Sequence, residues 1–423
     1  MILNYKFENF TSFKEVVEFS MLTSKTRVKN RFPDNYTIID DGAEILKTAV
    51  IVGENAGGKS NFVRSLRYLQ AFFENPESAK AYRNMINFNN IISSCPKKNN
   101  SLQTFELEIF IRDKGFYLYR LEIDFLGIVK ETLQYKSQKK RKYKLILSAT
   151  RKKQTVNCES DDGKCLTESD CGLKVTMEYT LIIPEVNREL EASLKKATQS
   201  QKTVGLFTTK LAILGNEDAV CFTEWMKNSL CPETNDINYG IYKSFKKEED
   251  DLRILNDPRF LDIFKMIDYS IIGFELDEEK PFSKTLIIRK KKDGTIFSRQ
   301  IKQDSSGVSE FFAWAIQIFK VVYEDKVVFA DEIDRVLNPI LSDRVISFIS
   351  GKKHLGQFVF TTHNVLHLDL KNYMKEQIYF VTKDNETLES EMYSLADFPE
   401  IRYETTKIYE FYMKGILGGT AFE

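Results

Sequence analysis

Residues 49–60 read Ala49-Val50-Ile51-Val52-Gly53-Glu54-Asn55-Ala56-Gly57-Gly58-Lys59-Ser60, and their order decides the fold. The apolar, mostly β-branched start predicts a buried strand. Gly53 to Ser60 fits G-x-x-x-x-G-K-[ST], the phosphate-binding loop pattern. From Asn61 to Phe73, apolar Phe62, Val63, Leu66, Leu69 and Phe73 recur at helical spacing. Strand, glycine-rich loop and helix is the context in which backbone N–H groups curl around phosphates and a helix N-terminus adds positive potential. By that logic Lys59 reaches the β- and γ-phosphates of a bound nucleotide and Ser60 ligates Mg2+. Gly53, Asn55, Gly57, Gly58 and Asn61 complete the expected nucleotide contacts.

Three downstream segments fit the same chemistry. Val327-Val328-Phe329-Ala330 predicts a second buried strand that delivers Asp331 and Glu332 to its end. Asp331 is placed to hold Mg2+ through water, and Glu332 to polarise the attacking water. Thr361-Thr362-His363 closes a further strand, where a histidine can hydrogen-bond the γ-phosphate. Asp304-Ser305-Ser306-Gly307-Val308 opens a helix. Ser305 and Gly307 there form either an ordinary cap or a second anion site. His354 and His367 read as surface residues.

Outward from these motifs, residues 1–23 read as two short strands with a turn at Asn9-Phe10-Thr11-Ser12-Phe13, and 103–147 as a meander of alternating strands. Residues 186–269 read as helical. Strands return at 285–290 and 295–301 around the hairpin pair Asp293-Gly294. Helix 308–323, strand 327–330, helix 339–350 and strands 357–361 and 377–382 follow, an alternation that predicts a largely parallel α/β sheet. The expected division is 1–135 for the part that carries the phosphate loop, 136–185 for a basic hairpin and polar insertion, 186–270 for a helical lobe, and 271–423 for the part that carries Ser305, Asp331, Glu332 and His363.

Composition narrows the class. The chain has 423 residues with Lys plus Arg equal to Asp plus Glu, at 61 each. A uniformly basic nucleic-acid binder is therefore not indicated. The N-terminus lacks a basic start and a continuous apolar run, and the apolar stretch 311–323 is too short to span a bilayer. A soluble, cytoplasmic protein is the expectation. Cys158, Cys165 and Cys171 share a polar stretch without zinc-ligand spacing or a nearby histidine, so free thiols are expected there rather than a metal site.

The order of phosphate loop, Ser-x-Gly helix, apolar-Asp-Glu and Thr-His resembles an ABC-type ATPase, and Asn9 to Phe13 resembles the opening of SMC-like heads. The closer resemblance is to compact ABC-type AAA family ATPases of bacterial anti-phage defence systems, the RloA/AbiL type. Asp331-Glu332-Ile333-Asp334, Gln377-Ile378-Tyr379-Phe380-Val381, Ser394-Leu395-Ala396-Asp397-Phe398 and Lys414-Gly415 share in that resemblance. It implies an α/β ABC/SMC-like P-loop head with an N-terminal β-rich subdomain and an inserted helical lobe. It also implies head-to-tail dimers or higher oligomers that sandwich ATP. Ser305 and Gly307 would then act on the partner's nucleotide, Asp334 would sit at the interface, and a separate effector, plausibly a TOPRIM-type nuclease, would be controlled. Val308 departs from the family's usual threonine, which suggests slow or partner-dependent hydrolysis.

The alternative is an SMC-like repair or chromosome-maintenance ATPase that binds DNA. Its support is the run Lys136, Lys139, Lys140, Arg141, Lys142, Lys144, Arg151, Lys152 and Lys153. A lysine-guarded hairpin edge explains the same run.

Overall fold

The computed structural model describes residues 1–24, 27–39, 42–75, 102–124, 127–157, 174–184, 192, 194, 205–233, 243, 248–333, 338–363, 368, 370–403 and 408–417. They divide into two compact units. One holds Met1, Ser20–Leu66 and Ser229–Glu423; the other holds Ile2–Phe19 and Arg67–Asn228.

The second unit is built on an antiparallel sheet. Among the described residues its strands are β1 (Ile2–Glu8), β2 (Val17–Ser20), β6 (Gln103–Ile111), β7 (Gly115–Asp124), β8 (Gly127–Lys136), β9 (Lys144–Asn157) and β10 (Lys174–Ile182). They run in the order β10-β9-β8-β7-β6-β1-β2. The expected alternation decides the register. Phe105 faces Leu121 and Leu107 faces Tyr119 across the β6–β7 pair, and all four are buried. The turn expected near residues 9–13 is tight, with Phe10 and Phe13 exchanging backbone hydrogen bonds and Asn9 and Thr11 both at positive φ. Helices α2 (Phe207–Ile213) and α3 (Glu217–Asn228) also lie in this unit. The fully buried carboxyl of Glu131 accepts the Phe207 and Thr208 N–H groups at 2.7 and 2.9 Å, so it satisfies donors that the start of α2 leaves open. Burial raises the pKa of Glu131, against the lowering effect of these bonds.

The first unit carries the α/β core. Its strands β11 (Leu230–Glu233), β15 (Val327–Ala330), β16 (Gln357–Thr362), β5 (Thr48–Gly53), β17 (Ile378–Lys383) and β18 (Ser390–Ser394) form a sheet in that order. Every pairing is parallel except β17 with β18. Helix α1 (Lys59–Glu74) begins in this unit. It is followed by α4 (Glu249–Leu255), α5 (Pro258–Phe264), α6 (Pro281–Lys284), α7 (Ser306–Glu324), α8 (Pro339–Ser350) and α9 (Ile408–Met413). A small antiparallel sheet, β12 (Ile271–Glu275), β13 (Leu286–Lys290) and β14 (Ile296–Gln300), contains the expected hairpin, with Gly294 at φ +89°. A two-stranded pair, β3 (Tyr36–Ile38) and β4 (Glu44–Leu46), lies earlier in the chain. The core gathers α7 residues Phe311, Phe312, Trp314 and Phe319 with Val50, Val328, Phe358 and Phe360 of the sheet. α7 is therefore apolar nearly all round, as a helix buried in a large core must be.

Two features differ from the sequence reading. Leu230–Glu233, inside the segment read as helical, is an edge strand paired in parallel with β15.

His354 is the second difference, being buried rather than on the surface. One ring nitrogen, Nε2, lies 2.8 Å from the Ile349 carbonyl, so Nε2 carries the proton. Burial holds its pKa below the usual 6.5. The unfolded chain therefore takes up this proton at higher pH than the folded one. The stability contribution is complete above about pH 6.5 and is lost as pH falls through the depressed folded value. Thermal melts from pH 7.5 to 5.5 should show a smaller acid-side drop for His354→Gln, which keeps a donor but does not titrate. Equal slopes for both proteins would remove His354 from the acid response.

Candidate functional site

The phosphate-binding loop leaves β5 at Gly53, and the neighbouring strand β17 dictates that residue. A Cβ at Gly53 would stand 2.2 Å from the Val381 carbonyl oxygen, so no side chain fits. The loop then turns through Ala56 at φ +61° and Gly58 at φ +123°. The second value favours glycine because it lies in the left-handed half of backbone space. The Ser390 hydroxyl of β18 donates to the Gly57 carbonyl at 2.6 Å and pins the loop from below. Past Gly58 the chain enters α1, whose 16 residues are long enough for an effective N-terminal dipole.

The buried Lys59 ammonium donates to the carbonyl oxygens of Gly53 and Glu54 at 2.8 and 2.7 Å. It also lies 3.2 Å from His363 Nδ1. An ammonium can only donate, so Nδ1 accepts and the imidazole proton sits on Nε2. That nitrogen is 3.9 Å from Glu332 Oε1. Sheet order explains the convergence. Strand β16 lies between β15 and β5, so its end stands between the two acids and the loop lysine.

Asp331 and Glu332 follow β15 as expected. Asp331 is buried, and its Oδ1 accepts from the Thr361 hydroxyl at 2.6 Å. The Glu332 backbone N–H donates to the same hydroxyl at 2.8 Å. Glu332 itself sits at φ +49°, a left-handed conformation that costs a non-glycine residue on the order of 1 kcal/mol and gathers at functional sites.

The residues present fit a magnesium nucleotide. Ser60 and Asp331 supply a hydroxyl and a carboxylate, the hard oxygen donors Mg2+ takes alongside substrate phosphates. Among the described residues no cluster of three or more His, Cys, Asp or Glu could hold a metal ion. Mg2+ requires none, because it keeps waters and phosphate oxygens as its other ligands.

Ser305 is the N-cap of α7, and its hydroxyl accepts the Val308 N–H at 3.4 Å. It is exposed, and a Cβ at Gly307 would meet open space. Arg289 anchors the preceding turn through Asp304 at 2.9 Å. Within one chain these residues therefore form the cap. Asp334, His367, Cys158, Cys165 and Cys171 lie outside the described residues. Cys221 and Cys231 are free thiols, and burial pushes Cys231 up to about 12.

The basic run loses one member. Arg151 is buried in an ion pair with Asp124 at 2.7 Å, so it is not offered to a phosphate backbone. Lys136 stacks over the Phe116 ring, while Lys139, Lys140, Arg141 and Lys142 remain exposed in the β8–β9 turn. Two residues that touch the site were not singled out from sequence. Thr361 stood inside the Thr-Thr-His motif, and Ser390 carried no signal.

A family model described as "AAA domain, putative AbiEii toxin, Type IV TA system" matches residues 49–369, a span that includes the loop, Ser305, both acids and His363. The chain belongs to this AAA-domain family. Solved structures similar to this AAA-domain protein include an SMC head bound to the C-terminal winged-helix domain of ScpA, at 16% identity and TM-score 0.48, over 93% of this chain and 97% of that one. The SMC head of Thermotoga maritima matches at 12% identity and TM-score 0.41, over 93% and 98%. The Pyrococcus yayanosii SMC head with a coiled coil and joint matches at 12% and 0.42, over 97% and 99%. No curated protein matches the AAA-domain chain. Among its described residues no helix is long and apolar enough to cross a membrane.

Proposed function

We propose that this AAA-domain protein binds Mg-ATP on the Gly53–Ser60 loop and hydrolyses it between two head-to-tail copies. The observation that carries the reading is the convergence of Lys59, His363 and Glu332 at one end of the parallel sheet. Lys59 would trade its carbonyl partners for phosphate oxygens, helped by N–H groups of the loop and the start of α1. Asn55 and Asn61 flank these contacts. Mg2+, held by Ser60 and Asp331, would supply charge neutralisation at the phosphates. Glu332 would take a proton from the attacking water, and His363 would donate its Nε2 proton as a hydrogen bond to the γ-phosphate.

The exposed N-terminus of α7 supports the paired arrangement, because its Ser305 and Gly307 are accessible to a second copy. Asp334 is assigned to that interface on the family resemblance. By the same resemblance the ATPase belongs to the RloA/AbiL type of anti-phage defence protein and restrains or releases a separate effector, plausibly a TOPRIM-type nuclease.

Calorimetry and light scattering test the core of this reading. The wild type should bind Mg-ATP and pair in its presence. Ser305→Arg should keep binding while losing the pair. Nucleotide-independent pairing, or no affinity for Mg-ATP, would refute it. Capture of the tagged chain from its own host should recover a nuclease-domain protein, and a chain that elutes alone counts against the effector.

A further inference from the structure

We propose that Thr361 is a positioning residue that holds Asp331 for the metal and Glu332 for the water, an assignment that rests on the function proposed above. The parallel register that sets Ala330 beside Phe360 brings the next residues, Asp331 and Thr361, side by side at the strand ends. Thr361 is fully buried there.

The hydrogens can be assigned without ambiguity. The Glu332 N–H has only a proton to give, so Thr361 Oγ1 accepts it at 2.8 Å. The single hydroxyl proton is then committed to Asp331 Oδ1 at 2.6 Å. One hydroxyl thus does two things. It fixes the rotation of the Asp331 carboxylate by occupying one oxygen. It also holds the Glu332 backbone in its left-handed conformation, which aims the side chain toward His363 Nε2. An outer partner of this kind orients a metal-binding carboxylate without touching the ion.

Valine has the shape of threonine without the hydroxyl, so Thr361→Val takes one hydrogen bond from the buried Asp331 carboxylate and one from the Glu332 N–H. Steady-state ATPase assays across a Mg2+ titration, on the full chain, read the effect. Thr361→Val should lower kcat by about 10- to 100-fold and raise the Mg2+ concentration for half-maximal rate. The KM for ATP should move by less than about threefold, since the phosphate loop is untouched. Thr361→Ser should restore both kcat and the Mg2+ response. If valine does not fold, Thr361→Ala gives the same comparison against serine.

A folded Val or Ala variant with wild-type kcat and Mg2+ dependence would overturn the assignment and leave the parent reading in place. So would a variant that only melts earlier while its Mg2+ response is unmoved. A wild-type chain without Mg2+-dependent hydrolysis would overturn both.

Discussion

Glu332→Gln is expected to slow ATP turnover by about 10²- to 10⁴-fold, the span typical of a lost general base, while leaving nucleotide affinity near the wild-type value. The backbone of residue 332 is held by Thr361 rather than by its own side chain, so glutamine should keep the left-handed conformation and the local fold. Only proton acceptance disappears. ATP would then persist between two copies, and light scattering should record a stable dimer in Mg-ATP that the wild type forms only transiently. Turnover at the wild-type rate would disqualify Glu332 as the base and direct attention to His363, the group 3.9 Å away.

Lys59→Ala acts one step earlier. The ammonium is buried and already engaged by the Gly53 and Glu54 carbonyls and by His363 Nδ1. Facing a triphosphate it would form at least two charge-assisted hydrogen bonds, worth about 1.5 kcal/mol each. Their loss totals about 3 kcal/mol, or roughly 100-fold in Kd. Calorimetry with Mg-ATP should show that weakening, and hydrolysis and pairing should fail together. Unchanged affinity would mean that the nucleotide sits elsewhere, and every role assigned to the loop would fall with it.

The parts of this protein legible from sequence are those written in local pattern. β5, the loop and α1 announce themselves through β-branched residues, glycines at fixed offsets and helical spacing over 62–73. β15 and β16 are short apolar runs that end in acids or in Thr-Thr-His. What stayed hidden depends on neighbours far away in the chain. Leu230–Glu233 contains Pro232, which argues against a strand wherever its missing N–H is needed. On the outer edge of the sheet that N–H is not needed, so the strand forms. His354 follows two lysines and looks exposed, yet the chain there is drawn inward. A Cβ at Gly356 would lie 1.9 Å from the Val321 carbonyl, so glycine allows a very close approach to α7. Thr361 and Ser390 act through a residue 30 positions away in one case and 333 in the other, a relation no window of sequence contains.

The end of β16 also constrains how this chain can change in length. Thr361 lies in the last pleat of β16 and His363 follows the strand directly, so the placement of both depends on its register. A single residue inserted or deleted after Phe358 would turn Thr361 away from Asp331 and carry His363 off Lys59 in the same stroke. The six residues from Gln357 to Thr362 must therefore keep their count in any descendant of this protein that retains the site.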